Sequence, residues 1–313
     1  IMAGGEGTRL RPLTCGVPKP MVPILNRPMM EHILRLLKRH NFTDIACTLW
    51  YLPRDVTAYF QDGSAFGLQL EYYIEREPLG TAGSVKNAAQ ALEGTFVVVS
   101  GDALTDVDLS KAVAFHKANG ALATLVLTRV ANPLSYGVVL TKEDGRITQF
   151  LEKPTWSQVF SDTVNTGIYV LEPEVLDYVE LGKPVDFSQD VFPELLRRGA
   201  PLFGYIASGY WSDVGNLDIY RQAQRDCLEG KVELELPPTQ GTGIYIEEGV
   251  KIDPTARLEG PLYIGRGSLI GPGAYVGPYS VLGPFSQVDA RASLKHVVLW
   301  TGVRVGRGTH LRG

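Results

Sequence analysis

The sequence predicts an α/β domain built on a mostly parallel sheet with helices on both faces, followed by a parallel β-helix of hexapeptide repeats. Three observations carry this. Over roughly the first two thirds of the 313 residues, short apolar runs alternate with helical stretches, the pattern of strand–helix–strand units. One such run, Phe96 to Ser100 (Phe-Val-Val-Val-Ser), is almost wholly apolar, as in a parallel strand buried on both faces. From Ile246 onward the period changes to six, the mark of a stacked solenoid.

Taken in order, Ile1-Met2 read as the end of a strand that runs into a glycine-rich loop, Ala3-Gly4-Gly5-Glu6-Gly7-Thr8-Arg9. Pro28 to His40 has apolar residues at Ile33, Leu34, Leu36 and Leu37 and reads as a helix stopped at Asn41. Asp44 to Tyr51 and Leu68 to Glu75 read as strands, and Ser84 to Leu92 as a helix. Leu109 to Asn119 is a further helix and Leu122 to Val130 a further strand. Leu217 to Leu228 reads as the helix closing a first domain over residues 1–228, and residues 229–243, with Pro237-Pro238 and three glycines, as a linker. Residues 244–313 then form the repeat domain. Ile246, Ile252, Leu258, Ile264, Ile270, Val276, Leu282, Val288, Leu294 and Trp300 are spaced by six, with Gly265, Gly271, Gly277 and Gly283 each following the aliphatic residue. Six residues make one side of a triangular coil, so the repeat spans about three and a half coils with the aliphatic residue inward. The strand end at Ile1 and the unfinished last coil lead us to expect a longer parent polypeptide.

Composition narrows the function classes. A hydrophobic fraction of 44% and a charged fraction of 20% fit an ordinary soluble globular protein. The net charge of −4 argues against nucleic acid as the main partner. No apolar run approaches the roughly 20 residues of a membrane helix, and no signal peptide is visible, so a cytoplasmic setting without membrane contact is expected. Cys15, Cys47 and Cys227 contain no C-x-x-C pair and suggest neither a disulfide framework nor a zinc site.

The opening loop is suited to a polyanion. Glycines let backbone N–H groups approach phosphate oxygens, while Arg9 and Lys19 supply countercharge, one as a fork and one as a point charge. The loop is not a Walker A sequence, for no Gly-Lys-Ser/Thr closes it, nor the dinucleotide G-x-G-x-x-G, for Leu10 stands where the third glycine belongs. Asp102, in Val99-Ser100-Gly101-Asp102, and Asp213, in Trp211-Ser212-Asp213-Val214-Gly215, have the character of Mg²⁺ ligands, since Mg²⁺ takes one or two carboxylates and leaves the rest to water and substrate phosphate. Either alone reads equally well as a helix or turn cap. The five histidines are scattered without metal-ligand spacing.

Six segments occur in order: the opening loop with Pro18-Lys19-Pro20, Pro78-Leu79-Gly80-Thr81-Ala82-Gly83, Ser100-Gly101-Asp102, Glu152-Lys153-Pro154, Asn165-Thr166-Gly167, and Trp211-x-Asp213-x-Gly215. With them the chain resembles, over essentially its whole length, the nucleoside-diphosphate-sugar pyrophosphorylases, the sugar-phosphate nucleotidyltransferases. The resemblance implies their Rossmann-like nucleotidyltransferase fold followed by a left-handed β-helix. Within that family Glu77-Pro78-Leu79-Gly80-Thr81-Ala82-Gly83 is most similar to the bacterial mannose-1-phosphate guanylyltransferases.

The resemblance also implies a reaction and its residues. A sugar 1-phosphate attacks the α-phosphorus of an NTP, giving NDP-sugar and pyrophosphate, with Mg²⁺ held by Asp102 and Asp213. Ala3, Gly4, Gly5, Gly7 and Thr8 would lie along the nucleotide, Arg9 would hold the leaving pyrophosphate, and Lys19 would contact the α-phosphate. Gly80, Thr81 and Ala82 would meet base and ribose, and Glu75 aligns with a base-reading position. Glu152 would hold sugar hydroxyls and Lys153 the sugar phosphate, while Gly137, Asn165, Thr166 and Gly167 would line the sugar pocket. Arg9, Lys19, Asp102, Lys153 and Asp213 would carry catalysis. GTP and mannose 1-phosphate are the favoured pair, and glucose 1-phosphate with ATP, dTTP or UTP is the alternative. Two other classes compete: a hexapeptide acyltransferase, with His296 and His310 as its candidate bases, and a non-catalytic ligand sensor. Solenoid packing leads us to expect a homo-oligomer.

Overall fold

The computed structural model describes residues 1–240 and 243–313; Gly241 and Thr242, within the expected linker, lie outside the described residues. The chain packs as two compact units, one of Ile1–Thr8, Pro12–Met21 and Ile33–Asp213, the other of Arg9–Arg11, Val22–His32 and Val214–Gly313.

The first unit is built on a sheet whose strands mostly share one direction. Met2 bridges in parallel to Thr48 on one side and Ser100 on the other, and Asp44–Leu49 pairs in parallel with Gln69–Ile74. Thr163–Leu171 is antiparallel to both Phe96–Val99 and Ala123–Arg129, and Leu202–Ile206 is parallel to Ala123–Arg129. Phe96–Val99, Ala123–Arg129 and Leu202–Ile206 therefore point the same way, with Thr163–Leu171 reversed among them. A hairpin of Gly137–Thr141 and Ile147–Glu152 joins this sheet at Val138↔Val164. The apolar run identified in the sequence sits in the core, with Phe96, Val98 and Val99 buried. Beside it, Tyr169, Phe187 and Phe192 form an aromatic cluster with ring centroids 4.9–5.4 Å apart; burying each such side chain contributes about 1.5–3 kcal/mol.

The helices Met29–Arg39, Leu109–Ala118 and Leu217–Leu228 and the early strands fall within one or two residues of the sequence reading. One helix does not. In place of Ser84 to Leu92, the helix spans Gly80–Asn87, and Ala89–Ala91 is a separate 3-10 turn. Its start is set by a tertiary contact. The Val185 carbonyl accepts from the N–H groups of Ala82 and Gly83 at 2.9 and 3.1 Å, and a Cβ on Gly80 would lie 2.5 Å from that same oxygen. The glycines that argue against a helix by propensity are what allow this close approach.

In the second unit, helix Leu217–Leu228 begins with the Asn216 carboxamide oxygen accepting from Ile219 N–H at 2.9 Å. Gln224 takes the Leu25 N–H and donates to the Pro23 carbonyl, both at 2.9 Å. The repeats form three parallel sheets with four rungs each, the arrangement of a hexapeptide β-helix. Its axis is filled by Leu262, Ile264, Ile270, Val276, Leu282, Val288, Leu294 and Val305. The described residues form four coils where the spacing suggests about three and a half.

The six-residue phase breaks after Leu294. The rungs pair Leu282 with Leu299, Val288 with Val305 and Leu294 with Leu311, so the next inward residue is Leu299 and not Trp300. The left-handed turn residue follows its inward residue by three at Gly267, Gly273, Tyr279, Phe285 and Arg291, but by two at His296. One residue has been lost from that turn. Trp300 is thereby turned off the axis, and its indole N–H donates to the Tyr220 hydroxyl at 3.0 Å.

Among the described residues, no helix is long and apolar enough to cross a membrane.

Candidate active site

The glycine loop and Lys19 are locked together. The Thr14 hydroxyl donates to the Gly7 carbonyl at 2.8 Å, Gly7 has φ of +64°, and a Cβ there would lie 2.8 Å from the Lys19 Cβ. Lys19 opens a 3-10 turn, Lys19–Met21, and is only 5% exposed. Its ammonium is 2.5 Å from Asp102 Oδ2 and 3.2 Å from Asp213 Oδ1.

Both carboxylates are placed by strand ends. Gly101 N–H donates to the Met2 carbonyl at 2.8 Å, and the Ser100 hydroxyl donates to Asp102 Oδ1 at 2.5 Å. Asp213 ends the strand Trp211–Asp213, directly opposite Ala103 in the antiparallel pair with Ala103–Thr105. Burial works against charge on Lys19, but attraction to Asp102 and Asp213 outweighs it and raises its pKa. Burial likewise opposes the charged form of Asp102, and the Lys19 ammonium overcomes this, holding the carboxyl below its ordinary range. The two Asp side chains keep 29% and 28% exposure, so the ion cluster opens to solvent on the carboxylate side.

Lys19 and Asp102 border a cleft of about 340 Å³, lined also by Ala3, Gly4, Gly5, Glu75, Gly80 and Thr81. Glu75 is buried. Its Oε2 accepts from Leu79 N–H at 3.2 Å, while its buried Oε1 has no hydrogen-bond partner among the described residues. A Cβ on Gly4 would lie 3.4 Å from the Trp50 Cβ and 3.9 Å from Glu75 Oε1. The glycine loop thus passes directly beside the open carboxylate oxygen. Ala82 is wholly buried and lies behind this surface, with its N–H spent on Val185.

Residues expected for a sugar pocket form a second, linked group. Asn165 donates to the hydroxyls of Tyr169 and Ser188 at 3.0 and 3.1 Å and accepts from Gly167 N–H at 3.0 Å. The Thr166 hydroxyl donates to the Val126 carbonyl, and the Trp211 indole donates to the Thr166 carbonyl. This bulge between Asn165 and Ile168 carries Gly167 at φ +76°, with its missing Cβ 3.4 Å from the Ser100 Cβ. Gly137 makes room for a carboxylate, for a Cβ there would stand 2.7 Å from Glu152 Oε2. Burial raises the pKa of Glu152, with Asp186 adding to the rise and Lys153 opposing it. Lys153 is 65% exposed, 3.7 Å from Glu152, and holds the left-handed conformation at φ +46°.

Arg9 and Thr8 begin a 3-10 turn, Thr8–Leu10. Within the second unit, the Arg9 guanidinium packs on Gly215, where a Cβ would lie 3.1 Å from it; this explains the glycine of the Trp211-x-Asp213-x-Gly215 segment.

Sequence reasoning missed Trp50, Ser100 and Asp186 on the cleft. Asp186 accepts from Ser188 and Gln189 N–H groups and from the Thr81 hydroxyl at 2.9 Å, tying the helix at Gly80 to the segment that meets Asn165. Its capping position before Phe187–Val191 was a readable signal; its partnership with Thr81, 105 residues away, was not.

Comparison with known proteins gives the family. The family model for Nucleotidyl transferase matches residues 1–230, and that for Bacterial transferase hexapeptide (six repeats) matches residues 243–278. The chain is 39% identical over 285 residues to a UTP–glucose-1-phosphate uridylyltransferase of Synechocystis sp., covering 85% of this chain and 73% of the relative. It is 36% identical over 270 residues to a mannose-1-phosphate guanylyltransferase of Mycobacterium tuberculosis, covering 86% and 75%. A crystal structure from Bacillus anthracis, named as a glucose-1-phosphate thymidylyltransferase and solved with sucrose, superposes with a TM-score of 0.67 at 26% identity, covering 75% of this chain and 95% of that one. With the family model matching residues 1–230 and the two relatives 39% and 36% identical over most of the chain, the chain belongs to the nucleotidyl transferase family.

Proposed function

We propose that the protein transfers a nucleotidyl group from an NTP to a sugar 1-phosphate, with GTP and mannose 1-phosphate as the favoured pair. An oxygen of the sugar phosphate bonds to the α-phosphorus, and the bond from that phosphorus to the β-phosphate oxygen breaks, releasing pyrophosphate. A phosphate monoester has its second pKa near about 6 and is already mostly dianionic at neutral pH, so the site needs no general base. Its work is to align two polyanions and offset their repulsion.

The observation that carries this reading is the Lys19 ammonium held between two strand-end carboxylates at the edge of an open, glycine-lined cleft. In this proposal Lys19 faces the α-phosphate, the loop from Ala3 to Thr8 lies along the nucleotide, and Arg9 holds the leaving pyrophosphate. Gly80 and Thr81 meet the ribose, with Ala82 as their buried support. Glu152, Lys153, Gly137 and the Asn165–Gly167 bulge take the sugar phosphate. Asp102 and Asp213 fit Mg²⁺, which uses one or two carboxylates and completes its shell with water and phosphate oxygens. Among the described residues no site gathers three or more His, Cys, Asp or Glu side chains, so this two-carboxylate set is the candidate. Bound there, the ion would supply positive charge to the phosphates.

The preference for guanine rests on Glu75. One of its oxygens is fixed by Leu79 N–H and the other is buried with no hydrogen-bond partner among the described residues. A carboxylate answers a base edge with adjacent donors, and guanine alone offers N1–H beside an N2 amino group. A second reading, UTP with glucose 1-phosphate, is favoured by the uridylyltransferase at 39% identity. Incubation with four NTPs, each against glucose and mannose 1-phosphates, with product mass as readout, separates the two; activity with the glucose pair alone overturns the guanylyl reading. The homo-oligomer expected of the solenoid belongs to the same proposal and is tested by light scattering.

A further inference from the structure

The lost residue at His296 reshapes one corner of the β-helix. That corner stacks Tyr279, His296 and Gly313 on successive coils: His296 N–H donates to the Pro278 carbonyl at 3.0 Å, and Gly313 N–H donates to the Lys295 carbonyl at 3.2 Å. The Tyr279 and His296 rings lie 5.4 Å apart and nearly parallel.

Helix Leu217–Leu228 presents one face to it. Arg221, Arg225 and Glu229 follow at four-residue steps, one above another on a helix. The Arg225 guanidinium stands 5.8 Å from the Tyr279 ring centroid, Glu229 accepts from the Tyr279 hydroxyl at 2.9 Å, and a Cβ on Gly313 would lie 3.6 Å from the Arg221 guanidinium. The strands add two more cations, for Lys295 pairs directly with Arg312 across adjacent parallel rungs.

Four permanent cations therefore surround one corner, and like charges opposite each other in a sheet are destabilising. Local acids do not balance them. Glu229 is paired with Lys231 at 2.7 Å, and Asp226 with the same lysine at 2.9 Å. Among the described residues Arg221, Lys295 and Arg312 have no carboxylate within ion-pair distance. Burial first, and then Arg225, Lys295, Arg312 and Arg221, push the His296 pKa down, so the imidazole stays neutral and adds a hydrogen-bonding edge rather than a fifth charge. Its Nδ1 is buried and has no hydrogen-bond partner among the described residues.

We infer that the corner formed by Arg221, Arg225, Lys295 and Arg312 around His296 is a binding site for a phosphate-bearing anion, separate from the catalytic cleft. Three guanidinium forks and an ammonium suit the geometry and charge of a phosphate. The natural source is either free phosphate or the phosphoryl group of a small metabolite.

The test is calorimetric titration of the full chain with inorganic phosphate, then with a hexose 6-phosphate, at low and constant ionic strength. It is run on the wild type and on a variant carrying Arg221→Glu with Arg312→Glu, both exposed positions, and folding is checked by circular dichroism. Arg221→Gln with Arg312→Gln serves as a gentler second variant. We expect binding to weaken at least tenfold in both variants, and the phosphate-induced rise in Tm to be lost with it. Tighter binding of the hexose 6-phosphate assigns the metabolite as source, and equal binding assigns free phosphate. Undiminished phosphate binding in the folded variants overturns the site, as does a Tm rise of equal size from sodium chloride at matched ionic strength.

Discussion

Gly7 lies against the stem of Lys19 so closely that a Cβ on the glycine would stand 2.8 Å from the Lys19 Cβ. The loop therefore sets the position of the ammonium as well as offering N–H groups. Gly7→Ala meets this contact and an unfavourable φ of +64° together. We expect a loss of about 1–3 kcal/mol in stability and a fall in kcat larger than any change in KM for the NTP, read from thermal melts and steady-state kinetics. An unaltered kcat would show that Lys19 is not held in place by this loop.

Asp102 links stability to pH. Burial opposes its charge, but Lys19 holds its carboxyl below the ordinary 3.8, so its contribution is complete above 3.8 and is lost as pH falls through the folded value. Lys19, raised above 10.5 despite its burial, contributes fully below 10.5 and loses that contribution as pH rises through its folded value. The difference in unfolding free energy between wild type and Asp102→Asn should be flat across neutral pH and shrink at both extremes. The same variant should cut turnover about 100-fold or more. A stability difference that grew on acidification would contradict the ion pair.

Glu75→Gln keeps an acceptor for Leu79 N–H but replaces a two-oxygen edge with one donor and one acceptor. Discrimination for GTP over the other NTPs should fall by about 1–3 kcal/mol, the value of one bidentate base contact, with little change in Tm. Relative kcat/KM for four NTPs measures it; an unshifted ranking would remove Glu75 from base reading.

Lys153 is exposed, and its 3.7 Å pairing with Glu152 is worth about 1 kcal/mol at most. Lys153→Ala should therefore leave Tm within a degree or two while raising KM for the sugar 1-phosphate at least tenfold. An effect confined to the NTP would place Lys153 elsewhere in the reaction. Lys153→Gly, which relieves the φ of +46°, should match the alanine variant in KM and melt no lower.

Legibility in the sequence followed the range of the interactions. Phe96–Val99 and Leu217–Leu228 could be read because burial on both faces and a 3.6-residue period are local patterns. The helix at Gly80–Asn87 could not, because its first N–H groups are satisfied by the Val185 carbonyl, about 100 residues away. Trp300 took the place of an inward aliphatic in the spacing because it is apolar; only the rung pairing of Leu282 with Leu299 shows the lost residue.

By itself, the sequence determined the two architectures, the loop with its lysine, and the two acidic strand ends, since periodicity and glycine placement follow from local sterics. Tertiary structure decided which groups face one another: Lys19 between Asp102 and Asp213, Gly7 beneath the lysine stem, Thr81 on Asp186, and the buried Glu75 Oε1 beside Gly4. The physical reason is that charge pairing and close approach act through space, between segments that no short-range pattern connects.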